Sequence, residues 1–271
     1  MRIPFTKAHG ARNDFLLTWA QQAPRDNQAS LARAICDRNC GVGADGWIVV
    51  TPPPATPQGA QGAIRLLNSD GSSSEISGNG TRCAAAFLLD SGLDASELCI
   101  HTGAGPKSLR LIERSGLRFR FEMNMGRPEY DPDQLRFPLP LQEDPREVTV
   151  LNVGNPQCVV VVDTFDFDWR ELGRRIEWHP FFPNRTNVSF VRVLDANTLD
   201  VLFWERGAGE TKSSGTGSAG AAAAAILRGL AKSPVEVRTQ GGAFPVRWEE
   251  ELFLDGPAEI VAGGVFYWES E

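Results

Sequence analysis

The sequence predicts a mixed α/β (α+β) fold made of two similar, pseudo-symmetric domains. Three observations support it: one segment occurs twice, short apolar runs typical of strands are frequent, and runs with helical spacing are few. A repeated unit of about half the chain indicates two equivalent domains rather than a solenoid. We therefore expect one domain over residues 1–125 and its duplicate over residues 126–271.

The repeated segment defines the two halves most clearly. Residues 64–87 and 201–224 align with a constant offset of 137, which places Ser77 opposite Ser214. Each serine opens a Ser-Gly-x-Gly turn. A site formed by both halves would therefore be lined by matched groups.

Strands are expected where short apolar or alternating runs are bounded by Gly, Pro, Asn or Asp. In chain order these runs are 47–51, 64–67, 98–101, 108–112, 117–123, 147–153, 158–163, 188–193, 199–204, 235–238, 244–248 and 251–254. Helical spacing of apolar residues predicts helices at 29–37, 79–90, 168–176 and 215–230. The second and fourth of these helices overlap the two repeated turns and continue from them.

Composition excludes several classes of function. The chain has 271 residues, of which 42% are hydrophobic and 23% charged, as in ordinary globular proteins. Its net charge of −7 argues against nucleic acid or an anionic membrane as a partner. The N-terminal sequence lacks the pattern of a signal peptide, and no charge-free apolar stretch is long enough to cross a membrane, so we expect a cytoplasmic protein.

The cysteines indicate reduced thiols rather than disulfides or a metal site. There are five, an odd number, and they are scattered along the chain. Cys36 and Cys40 are close in sequence, but no second pair or histidine cluster completes a ligand set. Cys83 follows Ser77 by six residues, and its helical spacing to Phe87 predicts a place in the core. We expect no metal.

The two Ser-Gly-x-Gly turns are candidate anion sites. Each precedes an Ala-rich helical run, so its backbone N–H groups lie at a helix N-terminus, which attracts a carboxylate. The alternative is a tight turn in which serine only caps the helix. Neither turn has the pattern of a P-loop or of a dinucleotide fingerprint.

Six segments in order along nearly the whole chain carry a resemblance to a known family. They are FTKAHGARNDF (5–15), DRNCGVGADG (37–46), NSDGSSSEISGNGTRC (68–83), GNPQCVV (154–160), NRTNVSFV (184–191) and ERGAGETKSSGTGS (205–218). They resemble the signature segments of diaminopimelate epimerase. The resemblance implies two similar domains, each with a β-sheet wrapped around a central helix, and a possible homodimer as the oligomer. It also implies an epimerase or racemase that converts LL- to meso-diaminopimelate for lysine and cell-wall biosynthesis and needs no cofactor.

The sequence departs from the family at the acid–base positions. The family moves the α-proton with two cysteines, one on each face of the substrate, whereas the matching positions here are Ser77 and Ser214. The histidine that assists one cysteine is replaced by Gln157, and only Glu205, the assisting carboxylate of the second half, remains. Because Gln157 has changed as well, natural divergence is favoured over deliberate replacement of two cysteines.

The positions that the resemblance assigns to substrate binding are better preserved. Four asparagines would hold the amino and carboxylate groups of a small amino acid, although turn formation is their alternative role. The two helix starts would bind the reacting carboxylate, and an arginine would pair with the distal one. In the same order these residues are Asn13, Asn68, Asn155 and Asn187; Gly78, Asn79, Gly215 and Thr216; and Arg206.

Three hypotheses follow. A thiol has a pKa of about 8.5 that a helix N-terminus can lower, whereas a serine hydroxyl is several units more basic, so two-base epimerisation is expected to be slow. The first hypothesis is an amino-acid epimerase with serines at the acid–base positions. The second is a non-catalytic amino-acid-binding homologue, and the third is a lyase that acts on a hydroxylated amino or imino acid with a single base.

Overall fold

The structure, a computed structural model, describes residues 1–56, 59–141 and 144–269. The chain divides into two compact units. Unit 1 consists of Met1–Met123 together with the chain from Gly256 onwards, and unit 2 consists of Asn124–Asp255.

Strands make up most of both units. The first eight are β1 Arg2–Gly10, β2 Asn13–Trp19, β3 Gly46–Thr51, β4 Gly62–Asn68, β5 Ser73–Ser74, β6 Glu97–Thr102, β7 Gly105–Ser115 and β8 Arg118–Gly126. The others are β9 Glu129–Tyr130, β10 Phe137–Leu139, β11 Arg146–Asn152, β12 Pro156–Val161, β13 Asn187–Asp195, β14 Thr198–Glu205, β15 Gly209–Thr211, β16 Val235–Thr239, β17 Gly242–Trp248 and β18 Leu252–Tyr267. The described α-helices are α1 Gln28–Cys36, α2 Gly78–Asp90, α3 Trp169–Glu177 and α4 Gly215–Leu227.

The two units repeat one order of elements. From β1 to β8 and again from β11 to β18, two strands are followed by a helix, three strands, a second helix and three strands. In each repeat the strand before the first helix pairs in parallel with the strand after it: β2 with β3, and β12 with β13. The middle one of the three strands before the second helix also pairs in parallel with the first strand after that helix: β4 with β6, and β14 with β16. The topology therefore confirms the duplicated α+β fold.

The second helix of each repeat is the centre of its unit. Every residue of α2 from Gly78 to Leu89 is buried, and the helix packs on β1, β2, β3, β4 and β6. In α4 every residue from Gly215 to Ala225 is buried against β11, β12, β13, β14, β16 and β17. Small side chains let strands approach a helix closely on all sides, and buried polar residues of α2 such as Arg82 and Asn79 bond to each other. The alanine-rich sequences therefore form the central helices around which the sheets wrap, as expected.

The first helix of each repeat covers one face only. Leu31 and Ile35 of α1 pack with Trp47 in one core, and Trp169 and Ile176 of α3 pack with Phe190 in another. Their other faces carry exposed polar side chains such as Arg33 and Glu171. Both are ordinary amphipathic helices.

The predicted helices are confirmed to within three residues at each end. The predicted strands are present, but the sequence did not predict β1 or β2, nor the shorter strands β5, β9, β10 and β15. It also placed the end of the last strand at residue 254, whereas β18 continues to Tyr267. Gly256, Pro257, Gly263 and Gly264 lower strand propensity there. Pairing with β1, in which Pro4 lies opposite Val265, outweighs that propensity.

Among the described residues, no helix is both long enough and apolar enough to cross a bilayer.

Candidate functional site

Ser77 and Ser214 occupy equivalent positions in the two units. Ser77 is the N-cap of α2, with φ −130° and ψ 122°, and Ser214 is the N-cap of α4, with φ −137° and ψ 126°. The Oγ of Ser77 accepts a hydrogen bond of 3.1 Å from the N–H of Gly80, and the Oγ of Ser214 accepts one of 3.0 Å from Gly217. Each hydroxyl oxygen therefore takes up one free donor of a helix N-terminus. The predicted turn-and-cap geometry is present in both halves.

Glycine at the third helical position lets each cap approach a strand closely. A Cβ on Gly217 would lie 2.7 Å from the ring of Phe203 on β14, and a Cβ on Gly80 would lie 3.0 Å from Ile48 on β3. Real Cβ atoms do not come as close as 2.7 Å to a neighbouring carbon. Packing therefore requires glycine at position 217, whereas a Cβ at position 80 would need only a small shift of the Ile48 side chain.

A directed chain of hydrogen bonds lies behind the cap of unit 1. The guanidinium of Arg82 donates to Oδ1 of Asn79, and Nδ2 of Asn79 donates to Oδ1 of Asn13 over 3.1 Å. Nδ2 of Asn13 then donates to the Asp45 carboxylate over 2.7 Å. The chain begins at a group that can only donate and ends at a carboxylate that accepts. Both asparagine amides are therefore held in one orientation.

The Asp45 end of this chain is electrostatically balanced. Arg38 lies 2.7 Å from Asp45 and 2.8 Å from Asp14, and Lys7 lies 3.0 Å from Asp14. Burial and the nearby charge of Asp14 raise the pKa of Asp45. Burial also acts to raise the pKa of Asp14, but hydrogen bonds from Arg38 and Lys7 outweigh it and hold that pKa below its usual value. Arg38 and Lys7 therefore favour the charged form of Asp14, whereas burial and the charge of Asp14 make Asp45 harder to ionise.

In unit 2, as in unit 1, an asparagine contacts the second residue of the central helix, but the residues around it differ. Nδ2 of Asn155 lies 3.4 Å from Oγ1 of Thr216, the second residue of α4, just as Asn13 contacts the second residue of α2. Nε2 of Gln157 donates to Oδ1 of Asn155 over 2.7 Å. Within the described chain, Oε1 of Gln157 is buried and has no hydrogen-bond partner. The side chain at the expected histidine position thus orients Asn155 but cannot take up a proton at neutral pH.

The strand register gives a residue-by-residue match between the repeats. Phe15 of β2 lies opposite Gly46 of β3, and Gln157 of β12 lies opposite Asn187 of β13. Asn13 and Asn155 each lie two residues before the first member of these pairs. The asparagines are therefore equivalent, a match that the constant offset of 137 did not reveal because the loops differ in length.

Asn68 and Asn187 have structural partners within their own units. Asn68 ends β4, and its Nδ2 donates to Oγ of Ser72 over 3.0 Å within a tight turn. Nδ2 of Asn187 donates to the Pro156 carbonyl over 2.9 Å, and its Oδ1 accepts from the N–H of Arg206 over 3.0 Å. Asn68 thus takes part in a turn, the alternative role of these residues, and Asn187 links neighbouring segments. Substrate contacts of both asparagines stay a prediction.

The Glu205–Arg206 pair lies at the end of β14. Glu205 is its last residue and aligns with Asn68 by the sequence offset. Arg206 is buried, and its guanidinium donates to the Asn184 carbonyl over 3.2 Å. This bond and the backbone bond to Asn187 fix the direction in which Arg206 leaves the strand.

Glu177, which the sequence analysis did not single out, is bonded to both sides of this pair. Its Oε2 accepts from Nε1 of Trp204 over 2.7 Å, and its Oε1 accepts from the N–H of Gly207 over 3.0 Å. Arg185 contributes an ion pair of 3.2 Å. An acidic residue at the end of an amphipathic helix is common in any sequence, so only the tertiary structure reveals this role.

The buried thiols of Cys83 and Cys158 are unsuited to acid–base chemistry. Cys83 has no solvent exposure, and burial raises its pKa to about 12. Burial also raises the pKa of Cys158 far above the usual range. A neutral thiol in the core cannot act as a base near pH 7. The prediction that Cys83 packs in the core is confirmed.

The predicted site residues divide between the two units, and the side chains of Asn13 and Asn155 contact the second residue of a central helix. The described ranges contain no cluster of three or more His, Cys, Asp or Glu side chains that could hold a metal ion.

Comparisons with known proteins place this architecture among epimerases. The sequence model of a family described as diaminopimelate epimerase matches residues 5–130 and 149–261. The chain is 39% identical over 278 residues to a diaminopimelate epimerase from Azoarcus sp. (strain BH72), covering 97% of this chain and 98% of the relative. It is 34% identical over 286 residues to one from Desulfovibrio desulfuricans, covering 98% of both chains. A hydroxyproline epimerase from Agrobacterium vitis shares the fold, with a TM-score of 0.75 and 16% identity over 97% of this chain and 90% of the other.

Proposed function

This chain belongs to the diaminopimelate epimerase family, and we propose that it is a cofactor-independent epimerase of diaminopimelate with Ser77 and Ser214 at the acid–base positions. The observation that carries the proposal is the matched pair of N-cap serines. They have the same backbone geometry on two helices of 13 residues each. A two-base reaction needs one proton acceptor and one proton donor. The two serines, one from each repeat, would fill these two roles.

The helix starts would stabilise charge during the reaction. N–H groups at a helix N-terminus favour a carboxylate, which becomes more electron-rich as the α-proton leaves. The N–H of Gly80 or of Gly217 already donates to the adjacent serine oxygen and would stabilise it if it lost its proton. Serine is nevertheless a weaker acid than cysteine, so a proton acceptor such as Glu205 is needed to assist Ser214. We expect slow turnover.

Substrate selection would follow from the polar groups around each helix start. Asn13 and Asn79 in unit 1, and Asn155 and Thr216 in unit 2, present oriented amide and hydroxyl groups. Arg206 supplies the planar cation suited to the distal carboxylate.

A second candidate function is an amino-acid-binding homologue without catalysis. Gln157 favours it, because this buried carboxamide orients Asn155 yet has no titratable proton. Binding residues would then be kept while the family's two cysteines and its assisting histidine are replaced.

Proton NMR of LL- and meso-diaminopimelate incubated with the protein in D2O separates the two functions. Loss of the α-proton signal with interconversion of the isomers supports the epimerase. A rise in melting temperature with ligand but no exchange supports the binding protein. If the protein showed no binding and no exchange, diaminopimelate would be refuted as the ligand.

Restoring both thiols tests whether the rest of the site suits this substrate. We expect the double variant Ser77→Cys/Ser214→Cys to exchange the α-proton at least tenfold faster than the starting protein, because thiolates form far more readily near neutral pH. Ser73→Cys, which adds a thiol at an exposed position of β5, is the control and should not change the rate. No gain in the double variant would contradict the proposed substrate.

A further inference from the structure

Glu177 is the last residue of α3, and only 4% of its surface is exposed. A carboxylate at a helix C-terminus faces the negative end of the helix dipole, and burial removes its hydration. Both effects disfavour the charge at this place. A residue that carries such a cost must be stabilised by specific partners.

Two of those partners belong to the segment around Arg206. Trp204 and Gly207 donate to opposite oxygens of Glu177, over 2.7 Å and 3.0 Å. They flank the Glu205–Arg206 pair on its two sides, so one rigid carboxylate holds the turn at both ends. Hydrogen bonds to a charged group are stronger than neutral ones, which makes this the firmest attachment of the turn.

The third partner, Arg185, belongs to the segment that precedes β13. Arg185 pairs with Glu177 over 3.2 Å and has a φ of 60°, a left-handed conformation unusual for arginine. Its guanidinium also lies 4.7 Å from the ring centre of Trp178. The preceding residue, Asn184, accepts from the guanidinium of Arg206. Glu177 therefore holds the backbone immediately after Arg206, at Gly207, and through Arg185 it contacts the segment that accepts from the Arg206 side chain.

The support beneath Glu177 is itself rigid. Gly173, one turn earlier on α3, packs directly on the side chain of Trp204, where an added Cβ would come within 2.7 Å. Ile176 has no solvent exposure and lies in the core with Phe190. The carboxylate is thus carried by an anchored helix rather than by a loop.

We propose that Glu177 is a positioning residue that holds the Glu205–Arg206 turn in the orientation that receives the distal carboxylate of a diamino-dicarboxylic acid. The inference rests on the proposed function for the identity of the ligand. The order of the turn itself does not depend on that ligand. The two parts are therefore measured separately.

The test compares the full-length protein with Glu177→Gln, which keeps the shape and removes the charge. Glu171→Gln is the matched control, since Glu171 lies on the same helix but is exposed and pairs with its neighbour Arg174. Backbone hydrogen exchange at residues 205–208 reports on the turn without ligand. Calorimetry with meso-diaminopimelate and with lysine, which lacks the distal carboxylate, reports on recognition.

We expect amide exchange at Arg206 and Gly207 to become about tenfold faster in Glu177→Gln, the effect of losing a charge-assisted hydrogen bond. The Kd for meso-diaminopimelate should rise about tenfold, while that for lysine changes less than about twofold. Glu171→Gln should match the starting protein in all three measurements. A merely structural role would weaken both ligands equally.

Unchanged exchange at 205–208 would overturn the positioning role whatever the ligands do. Equal weakening of both ligands would overturn the role in recognition. If the starting protein bound neither ligand, the proposed substrate would be refuted and hydrogen exchange alone would decide the positioning. If Glu177→Gln failed to fold, Glu177→Asp, which keeps the charge and shortens its reach, should change exchange and binding in the same direction, and no change would count against the proposal.

Discussion

Arg82 lies on the central helix α2 with no solvent exposure and donates to Asn79 and, over 3.2 Å, to the Pro257 carbonyl. Arginine keeps its charge in the interior, so its acceptors must face it. This requirement determines which way the Asn79 amide points, and through it the amide of Asn13. A residue that would not touch the substrate thus orients two that are predicted to do so.

We expect Arg82→Met to lower the free energy of unfolding by about 3 kcal/mol, because two buried acceptors lose a charged donor. Arg110→Met is the control: its ion pair with Glu122 involves a guanidinium that is more than half exposed, and its loss should cost less than about 1 kcal/mol. Urea unfolding followed by circular dichroism measures both. Equal effects would contradict the structural importance of the buried guanidinium.

Single residues of the site were predictable only where their signal is local. The serine caps follow from a Ser-Gly-x-Gly turn before a helical run, and both are present. Arg82 contacts Asn79 on its own helix, but Glu177 and Arg82 were not singled out because their other partners lie far away in sequence, up to Pro257 for Arg82. No spacing rule encodes such partners.

At the scale of elements, α3 and β14 form a tight pair. Gly173 faces Trp204 so closely that a Cβ would lie 2.7 Å from Cβ and 2.9 Å from Cγ of the tryptophan. Alanine has the higher helix propensity, by about 1 kcal/mol. Overpacking costs about 1–3 kcal/mol and acts in the opposite direction.

The variant Gly173→Ala therefore shows whether the gain in helix propensity or the cost of overpacking has the larger effect on stability. We expect packing to prevail, with the free energy of unfolding lowered by about 1–2 kcal/mol, since neither backbone can retreat without breaking the contacts of Glu177. Glu171→Ala, at an exposed position of the same helix, should change it by less than about 1 kcal/mol. Chemical denaturation of the two variants gives the comparison. A more stable Gly173→Ala protein would show that helix propensity dominates.

Helices and strands could be predicted where residues close in sequence determine them, and escaped prediction where distant partners do. All four predicted helices are present because amphipathic spacing and Ser caps act within a few residues. Strands β1 and β2 escaped prediction because they are stabilised by pairing, β1 with both β2 and β18. The repeat in the sequence predicted two similar units, but not that the chain from Gly256 returns to unit 1.

At the scale of the whole molecule, buried thiols couple stability to alkaline pH. Cys36 and Cys83 in unit 1 and Cys158 in unit 2 are all buried. Burial raises the pKa of the first two from 9.0 to about 12, and nearby carboxylates add to the effect. A native pKa above the unfolded one means that the folded protein holds its proton more tightly. The stabilisation is complete below pH 9 and is lost as the pH rises towards 12.

Each such thiol should make the free energy of unfolding fall by about 1.4 kcal/mol per pH unit in this range, because unfolding then releases a proton. We expect Cys83→Ala to show a slope shallower by about that amount between pH 9.5 and 10.5, whatever its stability at neutral pH. Cys40→Ala is the control, because its side chain is exposed in the folded protein as well as in the unfolded chain. Urea midpoints measured in the presence of a reductant give the slopes. Parallel curves for the starting protein and Cys83→Ala would show that this thiol does not titrate on unfolding, and that other groups cause the alkaline loss of stability.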